Sequence, residues 1–126
     1  MIKTITLDEG KEIRLSDSAA FLLVYKAQFG REPIQDLLKV QQAFTVKEGE
    51  ELDTLNAMQR FDMEIIYNIA WALAKVGNTT TKDPIKFYSE FGDFKPIEYI
   101  NDILDMALRS LSPSFSLEIE EEEEKN

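Results

Sequence analysis

The side chains best placed to do chemistry in this sequence are carboxylates in close-set groups: Glu48/Glu50/Glu51, Asp62/Glu64 and Asp102/Asp105. Paired acids can divide general acid and general base work between them, or hold a Mg²⁺ ion. Their usual collaborators are missing. The chain has no histidine and no cysteine, which removes the commonest general base, the commonest nucleophile–base pairs and the typical zinc ligand sets. Each acidic group also falls in a polar stretch or on the solvent side of an apolar helical pattern, so solvated surface is their expected role. The five glycines, Gly10, Gly30, Gly49, Gly77 and Gly92, stand at the ends of predicted elements and not in a phosphate-binding run. The expectation is a protein without catalysis, cofactor or metal.

Hydrophobic spacing gives the elements that carry these residues. Ile5, Leu7, Ile13 and Leu15 take alternate positions on either side of Asp8-Glu9-Gly10-Lys11, where Gly10 suits the positive φ of a tight turn. That is a β-hairpin over 2–7 and 12–15. Ser16 or Ser18 can cap a helix running to about Phe29, with Gly30 as its stop. Pro33 opens a second helix, whose Ile34, Leu37, Leu38, Gln41 and Phe44 fall at helical spacing. Lys47 to Asp53 is a polar loop. A long helix is predicted over about Asn56 to Val76, with Met58, Phe61, Ile65, Ile69, Ala72, Leu73 and Val76 on one face and Tyr67, Ala70, Trp71 and Ala74 widening the apolar arc. Such a helix is central and buried. Asp83-Pro84 starts a short helix that stops near Gly92, and Pro96 starts a last one carrying Ile97, Ile100, Leu104, Ala107, Leu108 and Leu111. Phe21, Tyr25, Phe29, Phe61, Trp71, Phe87, Tyr88 and Phe91 are expected mainly in the core, with a few facing a partner.

Composition bounds the rest. The 126 residues suit one domain, and a chain of this size buries enough surface to fold without disulfides. The absence of cysteine and of an export-signal pattern points to an intracellular setting. No stretch reaches the roughly 20 apolar residues of a membrane span. The net charge is −10, from 24 acids and 14 bases. Half of that excess lies in residues 118–126, where Glu118 and Glu120 to Glu124 face a single Lys125. The bases are scattered among acids, so direct nucleic-acid binding is not expected.

Before the glutamate run, Phe115, Leu117 and Ile119 alternate with polar residues, the period of a half-buried strand. They are the candidate protein-binding residues. The same pattern fits a third strand on the N-terminal hairpin, or a strand added to a partner's sheet edge. Glu120 to Glu124 are expected to stay disordered, since adjacent like charges repel and bury nothing.

The run Tyr25-Lys26-Ala27-Gln28-Phe29-Gly30-Arg31-Glu32-Pro33-Ile34-Gln35-Asp36-Leu37-Leu38-Lys39 resembles the tail assembly chaperones of long-tailed bacteriophages and prophages. Met1-Ile2-Lys3-Thr4-Ile5, Ile69-Ala70-Trp71-Ala72-Leu73-Ala74-Lys75 and Phe87-Tyr88-Ser89-Glu90-Phe91 are similar to further stretches of that family. The resemblance spans most of residues 1–111; Ser112-Pro113 and the glutamate run depart from it. It implies a non-enzymatic protein of the host cytoplasm, absent from the mature virion, that binds the tape-measure and tail-tube proteins and leaves a homo-oligomer open. Many members also exist as a longer frameshifted form. Glu124-Lys125-Asn126 can be encoded through the slippery heptamer A-AAA-AAC or A-AAA-AAU, which the three codons themselves would decide.

The expected fold is α+β and predominantly helical, with about five helices and a small antiparallel sheet built on the N-terminal hairpin. Residues 1–111 form the domain, and 112–126 the strand-like segment and acidic tail. The rival reading is an acidic nucleic-acid mimic or regulatory inhibitor, which would need carboxylates in ordered rows on a rigid surface.

Overall fold

The computed structural model describes residues 1–45, 49, 51 and 53–112. The fold is α+β and mainly helical, and the described residues hold one two-stranded antiparallel sheet. Strands β1 (Ile2–Thr6) and β2 (Glu12–Ser16) pair with Ile5 opposite Ile13 and Lys3 opposite Leu15. Their turn is a 3-10 element over Asp8–Gly10 in which both Glu9 (φ 66°) and Gly10 (φ 79°) are left-handed. Alternation then works as the hairpin pattern predicts: Ile5, Ile13 and Leu15 are buried, while Thr4, Thr6, Glu12 and Arg14 face solvent.

Helix α1 (Ala20–Phe29) follows, with the Ser18 hydroxyl accepting the Ala20 amide at 3.3 Å. Gly30 ends it at φ 66° and donates its amide to Lys26 O, a left-handed stop. Helix α2 (Pro33–Phe44) begins at proline. Its inner face differs from the expected one. Pro33, Asp36, Leu37, Val40 and Ala43 are buried, and Leu38 is exposed. The arc is rotated toward Asp36, a carboxylate whose charge is met inside the fold.

The single helix expected over Asn56 to Val76 is two. Helix α3 (Thr54–Met58) is capped by Asp53, whose carboxylate accepts the Asn56 amide at 3.1 Å. Helix α4 (Glu64–Gly77) starts afresh after Asp62, which accepts the Glu64 amide at 2.9 Å while its carbonyl takes Ile65 N–H. An aspartate competing for backbone donors is what breaks the apolar run here. Helix α5 (Pro84–Glu90) is capped by Asp83 through the Lys86 amide. The last helix is shorter than predicted, because Pro96–Tyr99 forms a 3-10 turn before α6 (Ile100–Leu111). The described residues thus hold six α-helices.

Helix α4 is the central beam. It buries Ile65, Ile66, Ile69, Ala70, Trp71, Ala72, Leu73 and Ala74, with β2 against it together with α1, α2 and α6. Its end approaches β2 so closely that a Cβ at Gly77 would collide with the Arg14 carbonyl. An aromatic chain of Phe21, Tyr25, Phe29 and Trp71, with neighbouring rings 5.0–5.6 Å apart, ties α1 to this beam. Phe87 is buried, and Phe61, Tyr88 and Phe91 are half-buried against the same core. No helix is long and apolar enough among the described residues to cross a membrane.

Candidate functional site

Among the described residues the close-set carboxylate groups form no shared site. Asp62, Glu64 and Asp102 are exposed, and Asp105 is paired with Arg109 at 3.0 Å. Glu51 is exposed, while Glu48 and Glu50 lie outside the described residues. So do Phe115, Leu117 and Ile119, and with them the third-strand and partner-strand readings of that segment. No cluster of three potential metal-binding side chains occurs among the described residues.

The carboxylate that the fold does place is Asp36, 1% exposed. It accepts the Tyr25 hydroxyl at 2.8 Å and a two-pronged Arg31 guanidinium, Nε at 2.8 Å and Nη2 at 2.6 Å. Burial pushes this carboxyl up, but the hydrogen bonds from Arg31 and Tyr25 and the Arg31 charge outweigh it. The net direction is below the ordinary carboxylate value. Burial, reinforced by Asp36, drives the Tyr25 hydroxyl far above its usual range. Tyr25 therefore donates and Asp36 accepts across the whole physiological range, an arrangement suited to holding α1 against α2 and not to passing protons. Asp36 carried no signal as a site residue; it lies one position before Leu37, within the arc that Pro33 and Val40 define.

Arg31 has a second neighbourhood. With Lys39 and Arg60 it lines an open groove of about 460 Å³, together with Phe29, Phe61, Ile65, Asp62, Glu64 and Asn68. Phe61 is held there by Phe44 at 5.9 Å between ring centroids. The aromatic and cationic lining can take apolar and acidic side chains.

The remaining surface feature is α1 itself. Its sequence, AFLLVYKAQF, is apolar almost all round, the composition of a buried helix. Yet Ala20, Leu23 and Ala27, spaced three and four residues apart, face solvent, with Leu23 69% exposed. Leu38, Leu55 and Ile85 are further exposed apolar side chains, Ile85 at 81%. None of the protein-family models, curated proteins or solved structures compared with the chain matches it.

Proposed function

We propose that this protein is a tail assembly chaperone, binding the tape-measure and tail-tube proteins of a long-tailed phage in the host cytoplasm and performing no reaction of its own. The observation that carries the reading is the exposed apolar row of α1. A helix with apolar residues on all sides gains by burying them all. Here the inward side chains Phe21 and Tyr25 are spent on the core, while Ala20, Leu23 and Ala27 remain at the surface. Such a row fits the apolar face of a long helical client such as a tape-measure protein. A net charge of −10 keeps a chaperone–client complex dispersed. The sequence resemblance at Tyr25 to Lys39 supports the same reading.

Co-expression with the tape-measure protein tests it. The expected result is a soluble complex that co-purifies through affinity capture of the chaperone. A tape-measure protein that stays insoluble, with no tail protein captured, overturns the reading.

A further inference from the structure

We infer that the free edge of β1 is a self-association site, at which a second copy of this chain adds its own β1 antiparallel to form a continuous four-stranded sheet. This goes beyond client binding and does not depend on it.

The hairpin register determines which backbone groups are available. The bonds Leu7 N–H to Lys11 O and Asp17 N–H to Met1 O place the odd-numbered residues of β1 in the hydrogen-bonded pairs with β2. The N–H and C=O groups of Ile2, Thr4 and Thr6 consequently point away from β2. Among the described residues no hydrogen bond reaches them. The opposite edge of the sheet is different: the outward Arg14 carbonyl of β2 is covered by Gly77 at the end of α4. Among the described residues the sheet therefore has one edge packed at Arg14 against the end of α4 and one edge, that of β1, left unpaired. Proline and a bulge, two of the usual ways of blunting an edge, are absent from β1, and its one charged side chain, Lys3, is held by Asp102.

The open edge complements itself. With Thr4 on a twofold axis, Thr4 pairs with Thr4 of the second copy and Ile2 with its Thr6, so every outward N–H and C=O of the three residues finds a partner. Side chains agree with that register. Exposed Ile2, Thr4 and Thr6 form apolar and β-branched cross-strand pairs on the outer face. On the inner face Lys3 comes opposite Ile5 and not opposite another Lys3, while its ammonium stays with Asp102 at 3.2 Å. Charge favours this meeting point. Two chains of net charge −10 repel, but residues 1–7 contain no acid and a single base, which makes β1 the stretch where two copies approach at least cost.

The test is sedimentation equilibrium of the full chain from micromolar to millimolar concentration, alongside amide exchange of Ile2, Thr4 and Thr6. The expected result is a weak dimer, strengthened by added salt because screening removes net repulsion, with protection of those amides that grows with protein concentration. Thr4→Pro removes an N–H that the hairpin does not use, which an edge strand tolerates. It should weaken the dimer about tenfold, the loss of hydrogen bonding worth roughly 1.4 kcal/mol. Thr4→Glu keeps the backbone, faces Arg14 within its own hairpin, and sets like charges face to face on the axis, so it should weaken the dimer as well. A monomer at millimolar concentration overturns the proposal. So does a dimer unaffected by either variant, which would use another face, or protection of these amides independent of concentration, which would mean that the edge is filled within one chain.

Discussion

At the scale of the residue, Asp36 is the position where stability and pH are linked. Unfolded, its carboxyl titrates near the ordinary value of about 4. Folded, it stays charged to lower pH, so its contribution is complete above about pH 5 and is lost as pH falls through the folded value. Asp36→Asn keeps the shape and removes the charge that Arg31 and Tyr25 address. Urea unfolding should show a loss of about 2 kcal/mol at neutral pH, with the gap to the unsubstituted protein narrowing as pH falls below the ordinary carboxylate value of about 4. A gap that stays constant from pH 7 to pH 2 would sink this account. The brackets of the motif were legible, since Gly30 and Pro33 announce the turn between α1 and α2. Its centre was not. A buried aspartate looks like a surface residue until the partners five and eleven positions upstream, Arg31 and Tyr25, are known to fold back onto it.

At the scale of the element, composition gave identities more readily than boundaries. The hairpin, α1, α2 and α5 were readable from alternation, Gly30, Pro33 and Asp83-Pro84, because each signal is local. The break between α3 and α4 was hidden, since Met58, Phe61 and Ile65 sustain a helical period through it while Asp62 diverts the backbone amides. Gly77 shows the limit of local reasoning most directly. Read as a helix stop, it is replaceable, and alanine in a helix is favoured over glycine by about 1 kcal/mol. In the fold it is the point of closest approach between α4 and β2, and an added Cβ meets the Arg14 carbonyl, a backbone atom with no freedom to swing aside. Overpacking of that kind costs about 1–3 kcal/mol, which outweighs the propensity gain. Gly77→Ala should therefore destabilise the protein in urea unfolding and speed amide exchange in β2. An alanine variant equal to or more stable than the original would show that the hairpin shifts to make room.

At the scale of the whole molecule, the question is which apolar residues the core needs and which it leaves at the surface. For α4 the sequence answers it: one wide apolar arc, buried as predicted. For α1 it cannot, because periodicity locates a face only where polar residues mark the opposite one, and Ala20, Leu22, Leu23, Val24 and Ala27 blur that contrast. Only packing separates Phe21 and Tyr25, fully buried, from Leu23. That separation makes stability and the proposed client binding independently addressable. Leu23→Asp replaces an exposed side chain, so thermal or urea unfolding should change by no more than about 0.5 kcal/mol. The same substitution places a charge in the middle of the apolar row, where docking a client helix would have to desolvate it. Co-expressed with the tape-measure protein, the variant should fold normally yet leave most of the client insoluble. If it solubilises the client as well as the unsubstituted chain does, the α1 row is not the docking face, and the groove lined by Phe29, Phe61 and Arg60 becomes the surface to substitute next.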